Sequence, residues 1–300
     1  MRAAVFTGGG ADGGVTIGRL SKTNTAYNFA VTISTGSLLG PLALLRKWDR
    51  LIEYYSSVET PDITEKSAFT SKGRLHIGKA FYRSLLSLVS KQNEIGQSKN
   101  LRKLIDELFT LEDYKAIKLS NRKVYVGAYS LTYEENEYFS SEHEKFEDFK
   151  DWMWASANAP VVFSTLKKAR KEGGEIEEWV DGGVKRNNPL AIAIAKGAKE
   201  VDVYMHSPRP VRKKKKFVTN TFHFILRLAK ALFKHSTEKD LTEGLALAKA
   251  AKAVVRVHWM DKEYYSNSLV FGKEKMAHLV KVGQDLATNP DYIDIYDYRT

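Results

Sequence analysis

Along the first part of the chain, apolar residues cluster in short runs separated by glycines and small polar residues. Ala3 to Thr7 has the length of a strand, a helix follows the glycines through Leu20, and Phe29 to Ile33 is a second strand-length run. An apolar helix is expected from about Gly36 to Tyr55. Strand, helix, strand and helix at this spacing predict a parallel sheet with helices on its faces. A polar stretch from Glu59 to Gly73, carrying Pro61, marks a loop, and amphipathic helices around Phe81 to Val89 and Leu101 to Phe109 are expected to cover the sheet. Lys123 to Ser130 and Tyr133 to Ser140 alternate large apolar and polar residues, which predicts two paired strands, and His143 to Asn158 reads as a helix stopped by Pro160. Ile176 to Val180 is a short strand ending in Asp181-Gly182-Gly183; a helix from Pro189 to Ala198 and a strand from Val201 to Met205 resume the rhythm. Past Pro208 and Pro210 the pattern predicts a basic helix (Phe217 to Lys234), an alanine-rich helix (Leu241 to Ala253), a strand (Val254 to Trp259) and a final helix (Glu274 to Ala287). The expected architecture is one α/β domain over residues 1–300, a three-layer α/β/α sandwich with a mostly parallel central sheet. Its motifs fall within residues 1–208, and 209–300 read as a C-terminal helical extension packed on the core.

Composition narrows the functional classes. With 300 residues, 43% hydrophobic and 28% charged, the chain can bury one sizeable core, which excludes a disordered tail, a collagen-like chain or a disulfide mini-protein. The absence of cysteine removes disulfides, thiolate metal sites and a cysteine nucleophile, so covalent catalysis must use another side chain. The opening MRAAVFTGGG is too short in its apolar run for a signal-peptide core, and no window approaches the roughly 18–20 apolar residues of a membrane span. A cytoplasmic protein is expected, at most peripheral on a membrane. Lysine and arginine exceed the acids by 47 to 36, a formal charge of +11, which predicts an anionic partner such as nucleic acid or a lipid headgroup layer.

Three motifs carry candidate chemistry. The turn Gly8-Gly9-Gly10-Ala11-Asp12-Gly13-Gly14 lies between a strand and a helix, where successive backbone N–H groups suit a phosphate or a developing oxyanion. Gly8, Gly10 and Gly13 also satisfy G-x-G-x-x-G, yet no Asp or Glu occurs from Gly13 to Trp48 to bind a ribose, and no Gly-Lys-Ser/Thr follows. A plain packing turn is the alternative. In Thr32-Ile33-Ser34-Thr35-Gly36 a serine ends a strand and opens an apolar helix, the layout of a nucleophile elbow or, more simply, of a helix N-cap. In Asp181-Gly182-Gly183-Val184-Lys185-Arg186-Asn187-Asn188-Pro189 an acid ends a buried strand beside residues without side chains, so another group can approach it; a turn with a capping Asn is the alternative. None of the seven histidines lies in a glycine-rich turn, and only His206 sits at a strand end, where it reads as a polar residue between strand and loop. Ser34 also follows only the second strand, earlier than in an α/β-hydrolase. A dyad without histidine is expected.

A glycine loop after strand one, a serine elbow about two dozen residues later, and a distant Asp-Gly-Gly followed by Asn-Asn-Pro form the motif order of the patatin-like phospholipase family. The chain resembles a bacterial-type member over roughly Ala3 to Pro208. The resemblance implies a lipid acyl hydrolase (phospholipase A, lysophospholipase or carboxylic-ester hydrolase) acting on phospholipid or another fatty-acyl ester. Ser34 would be the nucleophile and Asp181 its base. Gly8, Gly9 and Gly10 would supply oxyanion N–H groups, with Thr35, Gly36, Gly182 and Gly183 shaping the turns; neither metal nor organic cofactor is implied. Ala155 to Pro160 with Phe163 also resembles the segment that the family places before its aspartate strand. Two positions depart from the pattern. Asp12 stands where the family usually has lysine or arginine, and Thr32 takes the place of the first elbow glycine, where it is expected to crowd the turn. They motivate an alternative, a catalytically weak lipid- or membrane-binding member of the same fold.

Arg209 to Lys234 holds nine basic residues and no acid, with Phe217, Phe224, Ile225, Leu228, Leu232 and Phe233 at about helical spacing. Such a helix suits an anionic membrane surface. The alternative is a helix packed on the core with a solvated lysine face, and the lack of a reader motif and of stacking aromatics argues against nucleic acid.

Overall fold

The computed structural model describes residues 1–23, 25–63, 99–158, 165–210, 221–265 and 268–299, with the side chains of 221–230, 232 and 233 excepted. The chain enters through β1 (Arg2–Phe6), α1 (Gly13–Ser21), β2 (Phe29–Ile33) and α2 (Thr35–Leu44), followed by α3 (Trp48–Ser57) and the single turn α4 (Thr60–Ile63). After α5 (Lys99–Leu108) and α6 (Leu111–Leu119) come β3 (Lys123–Ser130), β4 (Glu135–Ser140), α7 (Phe146–Ala157), β5 (Leu166–Ala169) and β6 (Ile176–Asp181). The remainder is α8 (Leu190–Ala195), β7 (Glu200–Pro208), α9 (Thr221–Ala250), β8 (Val254–Met260), α10 (Lys273–Leu286) and β9 (Ile293–Asp297).

Among the described residues nine strands join one sheet. Its centre, β3-β2-β1-β7-β8, is parallel throughout, and antiparallel strands extend it on both sides. Alternate residues of each strand enter different cores, as the two-residue period of a strand requires. Ala4 and Phe6 of β1 face a cluster with Leu39, Leu42, Trp152 and Leu279, whereas Ala3 and Val5 face one with Leu190, Val203 and Val257. The first cluster is roofed by α1, α2, α7 and α10 and the second by α8 and α9, giving the expected three-layer α/β/α sandwich.

One feature of the register sets the position of the site. β2 runs parallel to β3 and ends with Ile33 opposite Gly127, while β6 runs antiparallel to β3 and ends with Asp181 opposite Ala128. β4 overlaps both of these pairings along β3 and therefore occupies its other edge. β2 and β6 thus share one edge of β3 and point head-on at each other, their C-terminal ends separated by a single step of register.

Several boundaries differ from the sequence reading. The helix expected from Gly36 to Tyr55 is broken into α2 and α3 by Arg46 at φ 58°. Arg46 N–H reaches Ala43 O (3.1 Å) and Lys47 N–H reaches Leu42 O (3.0 Å), a left-handed cap that the missing glycine concealed. Conversely, the two helices expected over Phe217 to Lys234 and Leu241 to Ala253 form one helix, α9. The polar residues between them contact the loop before α8: Ser236 Oγ donates to Lys185 O (3.0 Å) and Asp240 accepts Asn187 N–H (2.8 Å). Helix α6 and the short edge strands β5 and β9 were not anticipated, and β8 and β9 bring the C-terminal region into the sheet. The helix expected at Phe81 to Val89, together with Pro160, Phe163 and the lysine run 213–216, lies outside the described residues. Among the described residues no helix is long and apolar enough to cross a membrane.

Helix α9 ends on the same left-handed cap, with Lys252 at φ 52° and Ala253 N–H bonded to Ala248 O (2.9 Å). A side chain in this conformation costs about 1 kcal/mol that glycine avoids. Lys252→Gly is therefore expected to raise unfolding free energy by about 1 kcal/mol in urea titrations.

Candidate active site

Ser34 occupies the junction of β2 and α2 at φ 56° and ψ −129°, a conformation that costs a non-glycine residue on the order of 1–3 kcal/mol. Hydrogen bonds on both sides hold it there. Its N–H donates to the hydroxyl of buried Ser156 on α7 (3.0 Å), and its carbonyl accepts the Ser37 N–H (2.9 Å) and hydroxyl (2.7 Å). The strain thus falls on the serine and not on Thr32. Thr32 is an ordinary buried β2 residue whose hydroxyl donates to Tyr125 O (3.0 Å), with its methyl group packed over Gly40. The expected crowding of the elbow does not occur, because α2 leaves room where Thr32 meets it.

Asp181 is brought to Ser34 by the head-on strands. Its N–H donates to Asn158 O (3.1 Å), so the C-terminal end of α7 holds both residues. Its carboxylate accepts the Gly183 N–H at 2.8 Å, which makes the Asp-Gly-Gly turn part of its environment. Burial pushes the Asp181 carboxyl from 3.8 up to about 7, against the opposing pull of hydrogen bonds from the Ser34 hydroxyl and Gly183 N–H.

The glycine turn lies against this pair. A side chain on Gly8 would come within 2.9 Å of Ser34 Cβ, and Gly10 adopts φ +56° with its Cα facing Ser268 O. Gly8 N–H donates to Asn187 Oδ1 (3.1 Å), and Asn187 is held in turn by Thr237 Oγ1 (2.7 Å) on α9. Gly9 and Gly10 have no hydrogen-bond acceptor for their N–H groups among the described residues. His206 packs beneath Gly9, its ring nitrogens facing the hydroxyls of Thr7 (3.4 Å) and Thr16 (2.9 Å), and burial pulls its imidazole down to about 4. Asp12 stands at the N-cap position of α1 without a capping hydrogen bond from its side chain; burial lowers the Lys275 ammonium, and the Asp12 charge pulls it back toward protonation. Thr35 Oγ1 pairs with Tyr55 OH (2.7 Å), and Gly36 lets the start of α2 cross close over Phe6.

An apolar cleft of about 50 Å³ opens beside Ser34, walled by Leu38, Tyr55, Val58, Ile63, Leu101, Leu104, Leu108, Leu269 and Phe271. Ile63 and the α5 leucines of this wall come from the segment between β2 and β3, whereas Leu269 and Phe271 come from the segment between β8 and α10. Ser156 and Asn187 lie inside motifs already noted, although only the fold shows what they bind. Leu269 and Phe271 carry no motif at all.

A family model for patatin-like phospholipase matches residues 4–194. The chain belongs to the patatin-like phospholipase family. Membership of this phospholipase family places it among hydrolases of lipid esters. Among solved structures the patatin-like chain is similar to VipD from Legionella pneumophila, at 13% identity over 99% of this chain and 68% of that one, with a TM-score of 0.41. No curated protein matches.

The raised Asp181 carboxyl makes the stability of this patatin-like protein depend on pH. Below about pH 4 the residue is protonated in both folded and unfolded chains; as pH rises through about 7, the folded state must accept a buried charge, and the favourable contribution is lost. Asp181→Asn removes that loss. Its melting temperature is expected to rise relative to wild type between pH 4.5 and 8, and an equal difference at the two pH values would rule out a raised carboxyl.

Proposed function

We propose that the chain is a serine-dependent lipid acyl hydrolase that cleaves phospholipid or other fatty-acyl esters with a Ser34–Asp181 dyad. The observation that carries this reading is the strained Ser34 facing a buried, basic carboxyl beside an apolar cleft. Ser34 Oγ attacks the ester carbonyl while the Asp181 carboxylate takes its proton. The N–H groups of Gly9 and Gly10 hold the tetrahedral oxyanion, and the N-terminus of α2 favours the negative charge. Gly8, whose N–H is already engaged by Asn187, orders the turn. Asp181 returns the proton to the leaving alcohol, then removes one from the water that releases the fatty acid from acyl-Ser34. Neutral His206 supports the glycine turn and takes no proton in this scheme. Membrane docking through Arg209 to Lys234 is a further part of the proposal, with Arg209 itself tied to Asp294 (2.8 Å).

Ser34→Ala and Asp181→Asn are each expected to lower kcat on a p-nitrophenyl ester by about 10⁴-fold. A fluorophosphonate should add once to the wild type and not to Ser34→Ala, as read by intact mass. Retained hydrolysis in Ser34→Ala would remove the assignment, and an unreactive wild type would favour the weak lipid-binding alternative. With Asp181 at about 7 and His206 at about 4, kcat/KM is expected to rise along one limb near pH 7. For the membrane surface, co-sedimentation with phosphatidylglycerol vesicles that salt weakens is expected. Equal binding to phosphatidylcholine vesicles would exclude an electrostatic docking.

A further inference from the structure

We infer that Ser268–Gly272 is a strap that completes the acyl pocket, with Leu269 and Phe271 as the side chains that determine acyl-chain length. The inference rests on the hydrolase reading above and names the part of the chain that selects its substrate. The family model ends at residue 194, so this wall belongs to the C-terminal region, outside the matched segment.

The strap is tied down along its whole length. At its start, Ser268 O accepts Ala11 N–H (2.8 Å), which joins it to the glycine turn beside Ser34. In the middle, Lys275 Nζ donates to Val270 O (2.6 Å). At its end, Phe271 O accepts the Thr60 N–H (3.2 Å) and hydroxyl (3.0 Å), and Phe271 N–H lies 3.0 Å from the same hydroxyl oxygen. Five residues therefore run from the glycine turn to α4, and two of their side chains, Leu269 and Phe271, line the cleft together with Leu38, Val58, Ile63 and Leu104.

The direction of the strap assigns different tasks to its two apolar residues. Leu269 follows the tie to the glycine turn and lies toward the scissile bond, where every acyl chain passes. Phe271 is tied to Thr60, toward the α4 end, where only longer chains reach. A larger side chain at 271 therefore excludes long chains and a smaller one admits them. In an apolar pocket one or two methylenes change kcat/KM by about tenfold or more, which sets the size of the effect.

The test is hydrolysis of p-nitrophenyl esters from butyrate to palmitate by the 300-residue chain and its Phe271 variants. Phe271→Ala is expected to raise the palmitate-to-butyrate ratio of kcat/KM by about tenfold, and Phe271→Trp to lower it by a similar factor. Phe271→Leu provides the same test in smaller measure should the alanine variant fold poorly. Displacement of a fluorescent fatty acid by octanoate, dodecanoate or hexadecanoate is measured in parallel on the Ser34→Ala background, where the same changes in chain-length preference are expected without any chemistry. A wild type that cleaves none of the esters would remove the hydrolase reading, while the displacement series would still decide the strap. Chain-length profiles that stay within twofold of wild type in both assays for the folded Phe271 variants would overturn the inference.

Discussion

The site depends on a collision of two strands. β2 and β6 lie on the same edge of β3 with opposite polarity, so neither can extend past Gly127 and Ala128 without meeting the other. Each must turn out of the sheet at that point, and each does so through a short turn of small residues. Ser34 and Asp181 are the residues at which the two turns begin. A pair separated by nearly half the chain is brought together without a long or mobile loop, because main-chain hydrogen bonds of the sheet hold both approaches.

The consequence of that meeting is electrostatic. The same packing that makes the turns tight excludes water from Asp181, and burial raises its carboxyl to about 7 even though a hydroxyl and an amide donate to it. In the proposed dyad, a carboxyl raised to about 7 would be a stronger base toward the serine hydroxyl than a solvated one. Burial likewise disfavours charge on His206, whose imidazole is pulled down to about 4 and packs under the glycine turn. The strained Ser34 backbone is maintained by α7, whose Ser156 and Asn158 reach the serine and the aspartate respectively. The helix therefore fixes the two residues relative to one another as well as to the sheet.

The C-terminal third closes the site from two sides. Thr237 and Asp240 of α9 hold Asn187 and Asn188, and through Asn187 they hold Gly8; the Ser268 carbonyl holds the other end of the glycine turn at Ala11. A turn of glycines has little intrinsic order, since residues without side chains lose more freedom on folding than any others. Its conformation is imposed by these distant contacts, to which the polar residues in the middle of α9 contribute.

Much of this protein was legible in its residues. Period-two and helical patterning disclosed the βα rhythm, because burying one face of a strand or helix imposes that pattern locally; the glycine turn, the serine elbow and the Asp-Gly-Gly turn were visible because each needs small residues at fixed positions. The break at Arg46 and the cap at Lys252 were hidden, since a left-handed residue that is not glycine leaves no mark in composition. Short edge strands such as β5 and β9 were hidden too, because they pair at the margin of the sheet with little apolar signal. The surroundings of Thr32 and Asp12 were hidden as well: Thr32 packs over Gly40, and the Asp12 charge acts on Lys275. The sequence by itself determined which residue types could react and the order of the elements that carry them. Tertiary structure alone decided that Ser34 meets Asp181, that Gly8 is already engaged, and that Leu269 and Phe271 wall the cleft, because those relations depend on register and packing between segments far apart in the chain.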